Sequence, residues 1–457
     1  MLNKYTVQLM ALGIVGSFAA TAVAEDSALI DALVKKGVLK TKEAEQIRAE
    51  AAKSKHSSNG KLNLDSSVKS LTLSGDFRMR YNYTSGTGRD SGASNFTGAG
   101  GVGGGLAPND KTAQDTFYDM RLRINADYKL SDDFYAGFGV RTQRDARNDN
   151  TLLGSGAVGA LPGGGDFNLG IYRAFLGWNP VEGVELVAGA QKNPFYTTDL
   201  VWDVDFNPAG FSQKIDLNKT LGVSGIDLSL VAGQFVLQDN SENNPAGFGA
   251  NQNQNRDAFL WQTQLVAGID LGAAKLTVAP GYLASNAGAV VPAPNVPPGN
   301  VLTDANNVQV LLIPGDISGE VAGIKAKFLW DFAYNFEGRD RFTQSGAAAG
   351  AKAKGTDRMA WLLGVRLGEN HKQGDLSFQA NYRRTGQGAL PQNLSDNEIG
   401  FGNSQNMAAF KVGAAYSLSD SSYFGLNYIR FEQVESQGGR QGFENGEWLQ
   451  AEVGVKF

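Results

Sequence analysis

The sequence has no cysteine and only two histidines, His56 and His371, among 457 residues. Disulfides and thiolate chemistry are thereby excluded, and an imidazole metal site is nearly so. It also lacks a surplus of positive charge. The formal net charge is −5, which offers no general attraction for nucleic acid. After residue 24 there is no apolar run of about 18 residues, so no membrane-spanning helix is expected. Glycine is plentiful at 58 residues, while charged residues are held to 19%. A chain of about 430 residues would ordinarily make two or three soluble domains. A single large closed sheet is the other way to use that length.

Residues 1–24 read as a signal peptide. Lys4 supplies a positive start, "LMALGIVGSFAATAVA" an apolar stretch, and Ala22-Val23-Ala24 the small-x-small pattern of a cleavage site. A short membrane anchor is the alternative, but the run is too brief to span comfortably. Residues 25–56 form a short N-terminal helical segment. Leu29, Ile30, Leu33 and Val34 make one apolar stripe, Gly37 breaks it, and Thr41 with Glu43 and Glu45 can start a second helix. A solvated tail is the plain alternative. The stripe argues for packing on a periplasmic partner or on copies of itself, as in a homotrimer. Residues 57–70 read as a linker.

From Leu71 the period becomes two and stays two. "LTLSGDFRMRYNY" puts Leu71, Leu73, Phe77, Met79, Tyr81 and Tyr83 on one face, and Thr72, Ser74, Asp76, Arg78, Arg80 and Asn82 on the other. "YDMRLRINADYKL" repeats this, with Tyr118, Met120, Leu122 and Ile124 opposite Asp119, Arg121, Arg123 and Asn125. "KFLWDFAYNFE", "RMAWLLGVRLG", "DLSFQANYRR" and "AFKVGAAYSL" continue it. Such alternation also fits a soluble sandwich. Three features point instead to a membrane barrel. Aromatic residues sit near strand ends on the apolar face, as in the girdles of such barrels. The other face carries charges in mid-strand. The connections alternate between short and long.

The short connections are 131–133, 179–183, 271–274, 369–374 and 419–422. The long ones are roughly 84–116, 144–166, 193–210, 238–256, 285–306, 338–356, 385–405 and 433–445. Loops of that length are uncommon in ordinary domains, whereas outer-membrane barrels pair short periplasmic turns with long extracellular loops. The fold predicted for residues 71–457 is all-β: a single transmembrane antiparallel β-barrel in outer-membrane lipid. Eight long loops give sixteen strands, with fourteen and eighteen left open. Residues 307–326 must then hide one strand and a turn. "WLQAEVGVKF", Trp448 to Phe457, reads as the closing strand, paired with Leu71–Tyr83, because hydrocarbon tolerates no open sheet edge.

An aromatic last residue on an alternating strand resembles the assembly signal of Gram-negative outer-membrane proteins, which would make Phe457 part of that signal. "LIDALVKKGVLKTKEAEQIRAE" resembles the short helical segment that follows the signal peptide in the family called putative porins. "GAQKNPF" (Gly189–Phe195), "WDVDFNPAGF" (Trp202–Phe211) and "KFLWDFAYNFE" (Lys327–Glu337) resemble that family's internal strand and loop motifs. The phosphate-selective porins are similar in general layout. The resemblance implies a water-filled outer-membrane channel for passive diffusion; it supplies no solute.

Basic residues gather on the inward face of the first strands: Arg78 and Arg80, Arg121 and Arg123, Arg141, Arg173, then Lys192. Arg358, Arg366, Arg383 and Lys411 add to the far wall. Any one of these can be an ordinary solvated lumen charge. Together, in a narrow lumen, they would focus field and concentrate anions. The third long loop carries Asp199, Asp203 and Asp205. In porin-like barrels one loop folds inward; these acids would then face the basic wall, and otherwise they form an exposed acidic loop. Asp76, Asp119 and Asp127 stand beside the arginines and would pair with them. The expected outcome is weak anion selectivity with passage of small polar solutes.

Asp203, Asp205 and Asn207 mimic the start of a calcium loop, but Pro208 and Lys214 occupy the places of the essential Gly and Glu, so no metal is expected. No cofactor is expected either, since "GAGGVGGG" (98–105) lacks the strand, helix and Lys-Ser/Thr pair of a phosphate cradle. An enzyme is disfavoured, because nucleophilic catalysis by Ser needs a positioned base and both histidines lie in a linker or a short turn. A non-conducting barrel acting as adhesin or envelope tether is the alternative function. Conductance separates it from a channel.

Overall fold

The structure is a computed structural model describing residues 68–88, 112–142, 151–152, 169–238, 258–285, 308–339, 355–391, 394–396, 398–401, 405–434 and 443–457. The expected signal peptide, the helical segment and most of the linker lie outside the described residues, as does the glycine-rich stretch 98–105.

Sixteen staves form one closed antiparallel barrel. In chain order they begin β1 (Ser70–Gly88), β2 (Thr112–Lys129), β3 (Phe134–Thr142), β4 (Leu169–Trp178), β5 (Val184–Ala190), β6 (Ala209–Asp216), β7 (Asp227–Gln238) and β8 (Ala258–Asp270). Thr151–Leu152 pairs alongside β2 beyond the end of β3. The next two staves are each interrupted: β9 is Ala274–Val278 with Gly281–Ser285, and β10 is Gln309–Leu312 with Gly315–Val321. The set ends with β11 (Ile324–Asn335), β12 (Met359–Gly368), β13 (Leu376–Thr385), β14 (Met407–Ser417), β15 (Ser422–Gln433) and β16 (Phe443–Lys456).

The two-residue period explains the wall. Leu73, Met79, Ile124, Phe138, Leu363, Phe378 and Val453 point outward and are exposed, whereas Asn82, Gln262, Gln264, Asn335 and Gln450 point inward and are buried. A protein with its apolar side chains outside and its polar ones inside is built for lipid rather than water. Aromatic pairs join neighbouring staves on the outer face. Phe134 stacks on Trp178 at 5.6 Å between centroids, and Tyr81 meets Tyr118 edge-on at 5.4 Å.

Closure follows from the last strand. β1 and β16 pair in register from Asp76↔Lys456 to Thr87↔Asn445, placing Met79 beside Val453 outside and Arg80 beside Glu452 inside. The ladder continues to the terminus, with Gly75 N donating to Phe457 O at 2.7 Å and Phe457 N donating to Gly75 O at 3.0 Å. Gly75 is required here. A Cβ on it would stand 2.3 Å from the Arg123 carbonyl oxygen and 2.7 Å from the Phe457 ring.

Residues 307–326 do hold one stave and a turn. Pro280 and Pro314 break β9 and β10 because proline donates no ladder hydrogen bond. Their carbonyls still accept, from Leu265 N and Ala279 N, both at 2.9 Å. The β10–β11 turn is Ala322-Gly323, with φ of 51° and 78°. Two successive left-handed residues match a two-residue hairpin turn. Between β6 and β7 lies α1 (Leu217–Leu221), whose first amides Asn218 N and Lys219 N donate to the Asp216 side chain.

Candidate functional site

Among the described residues, two long connections fold into the lumen: loop 191–208 between β5 and β6, and the described part of loop 386–406 between β13 and β14. The first crosses to the opposite wall. Tyr196 N donates to Gln264 Oε1 at 2.8 Å, and the Gln264 amide returns a bond to Tyr196 O at 2.9 Å. Tyr196 OH donates to Asp316 on β10, and Thr198 Oγ1 donates to Asp331 on β11 at 2.7 Å. Trp202 sits at φ 69°, a left-handed conformation uncommon for a bulky residue, and its indole donates to Gln262 at 2.7 Å.

Apolar packing holds both loops there. Phe195, Leu200, Val201 and Trp202 of the first, with Ala389, Leu390 and Leu394 of the second, form one buried cluster. They rest on inward side chains of β7 to β12, among them Phe235, Leu260, Leu283, Val310 and Leu362. Trp202 meets Phe195, Phe206 and Phe235 at 5.6 to 6.0 Å. The loops also bond each other, Asp203 N donating to Leu394 O at 3.0 Å. One side of the lumen is therefore filled, and the passage is displaced toward β1, β2 and β14 to β16.

A cavity of about 170 Å3 marks the narrow part. Its bases are Arg78, Arg80, Arg121 and Lys411. Its acids are Asp199, Asp203, Asp205, Asp396, Glu398 and Glu452. Arg123 and Lys192 line an adjoining space of about 500 Å3 that shares Arg121, Trp202 and Asp203 with it. A wider vestibule of about 870 Å3 opens at the short-turn end, among Lys327, Arg366, His371 and Lys456.

The bases are matched by acids. Arg80 binds Asp119 and Glu398, both at 3.0 Å. Arg121 and Arg123 both bind Asp76, at 2.9 and 2.6 Å, and Arg121 lies 3.9 Å from Asp205. Arg78 lies 3.5 Å from Glu452, and Arg173 binds Asp127 at 2.8 Å. Arg141 donates to the Asp205 carbonyl at 2.8 Å. Asp199 lies 3.5 Å from Arg366 on the far wall, and its carbonyl accepts from Arg383.

Burial, with the carboxylates of Asp205 and Asp396 and more distantly Glu398, pushes the Asp203 carboxyl up to about 7; the Asp205 amide bound to it works in the other direction. Burial alone would raise Glu398 as well. Lys411, Arg80 and the Gln450 hydrogen bond outweigh it and hold this carboxyl well below its usual range.

The family described as putative porin matches residues 62–284, from the linker through β9. Over this stretch, just under half of the chain, the sequence is similar to that family. Among solved structures, the chain is similar to Salmonella typhi OmpF in complex with daunomycin, at 12% identity and a TM-score of 0.46, covering 87% of this chain and 100% of that one. It is also similar to Pseudomonas putida OprB at high pH, at 10% identity and a TM-score of 0.47, covering 85% and 94%. A mutant Rh. blastica porin gives 12% identity and a TM-score of 0.40, covering 85% and 100%. No curated protein sequence matches the chain.

The residues expected at the site do not all meet at the narrow cavity. Asp199, Asp203 and Asp205 line the narrow cavity; Arg141 and Arg173 are buried and do not, Arg141 lying against the Asp205 carbonyl of the inward loop. Arg358, expected on the inward face, lies 5.2 Å over the Tyr334 ring. The expected anion preference omitted Asp396, Glu398 and Glu452, which give the narrow cavity six acids against four bases. Glu452 was readable, since it alternates with Val453 on the closing strand. Asp396 and Glu398 were not, because "QNLSDNEIG" has no period to place it. The Asp203 to Asn207 stretch forms a turn, with Asp205 N donating to the Asp203 side chain at 3.0 Å.

Proposed function

We propose that this protein is an outer-membrane channel through which small polar solutes diffuse passively, exported by residues 1–24 and assembled as a homotrimer. The observation that carries the reading is the narrow cavity beside the two inward loops, with charges of both signs on its walls. Opposed charges across a gap order water and favour dipolar or zwitterionic solutes over apolar ones. The lining holds more acids than bases, so the channel is close to balanced and slightly favours cations at neutral pH. This replaces the anion preference expected from the basic wall alone.

Swelling of proteoliposomes in a series of isosmotic solutes tests the reading. Glycine and small sugars should enter quickly, and larger sugars progressively more slowly. Swelling no faster than protein-free liposomes for every solute would overturn it.

A further inference from the structure

The described part of loop 386–406 carries a carboxylate that joins three staves. Glu398 Oε1 accepts from Arg80 of β1 at 3.0 Å and from Gln450 of β16 at 2.9 Å. Its Oε2 accepts from Lys411 of β14 at 3.3 Å. Asp396, on the same loop, binds Arg383 of β13 at 3.1 Å and lies 3.7 Å from Lys411. The other inward loop bonds to this one through Leu394. Glu398 thus sits where the second loop meets the barrel seam and beside two of the four bases that line the narrow cavity.

We propose that Glu398 is a specificity-determining residue of the channel: its single negative charge masks Arg80 and Lys411 from passing ions. The inference rests on the channel reading above. Arg80 keeps a second carboxylate in Asp119, and Lys411 keeps Asp396, so both stay charged and in place when Glu398 is neutralised. The amide of Glu398→Gln matches the carboxylate in size and can still accept from Arg80 and Gln450. That variant therefore changes charge with little change in shape.

The reversal potential of single channels in a salt gradient reads this directly. Glu398→Gln should shift it toward anions, and Lys411→Gln toward cations. The double variant restores the lining charge and should return close to wild type. A loop that was merely unpinned would not be corrected by removing a second anchor. Heat-dependent gel mobility establishes which variants have folded. If Glu398→Gln does not fold, Lys411→Gln and the double variant carry the test. An unchanged reversal potential in the folded single variants, or a double variant that keeps the shift of either one, overturns the proposal. A wild-type protein that forms no channel overturns the parent reading instead.

Discussion

Asp203 is a lining carboxyl whose charge changes near neutral pH. With its carboxyl pushed up to about 7, it is largely protonated at pH 6 and ionised at pH 8. A raised acid is neutral below that value, so lowering the pH removes negative charge from the cavity. Acids and bases facing it come from its own loop (Asp199, Asp205), loop 386–406 (Asp396, Glu398), β1 and β2 (Arg78, Arg80, Arg121), β14 (Lys411) and β16 (Glu452). The reversal potential should therefore move toward anions between pH 8 and pH 6, and Asp203→Asn should lack this step. An equal step in the variant would assign the titration to another group. Gly75 gives a second test at this scale. Gly75→Val forces a side chain against the Arg123 carbonyl and the Phe457 ring, at the seam that closes the barrel. The temperature at which the folded band disappears on gels should fall; an unchanged value would show that the seam relaxes freely.

Loop 191–208 earns its place in the lumen by packing as well as by charge. Trp202→Ala removes a stacked ring and an indole hydrogen bond, a truncation that costs about 3–5 kcal/mol when the site cannot collapse. The barrel wall does not depend on Trp202 for its ladder. The expected result is a folded barrel whose single-channel conductance is larger and noisier than wild type. Unchanged conductance would mean that the loop does not narrow the passage.

How far these elements could be read from sequence depended on pattern. Staves such as β1, β2 and β16 were legible because most of their lumen-facing positions, every second residue, are polar. β8 to β12 follow the same period, but Leu260, Leu283, Val310 and Leu362 make their inward face apolar as well. That second apolar face is the seat for the two loops, and alternation alone cannot show it. The turn at Ala322-Gly323 was hidden because alanine stands where a turn residue is usual. For the acids of loop 191–208, the likeness to porin-like barrels raised an inward fold but left an exposed loop equally open. Those of loop 386–406 had no such signal.

At the scale of the whole molecule, one closed sheet solves two problems together. Pairing β1 with β16 leaves no backbone edge in hydrocarbon, and the same alternation that turns apolar side chains to lipid encloses a polar interior. The loops then narrow that interior from one side, leaving the passage against β1, β2 and β14 to β16. Exposed charges at the barrel mouths are screened beyond about 8 Å at physiological salt, so the narrow cavity, rather than the net charge of −5, sets what an ion meets. The most direct test is single-channel recording of the purified, folded protein in a planar lipid bilayer. Discrete steps of conductance that scale with bath salt are expected. Folded protein that inserts yet gives no conductance steps would contradict the account.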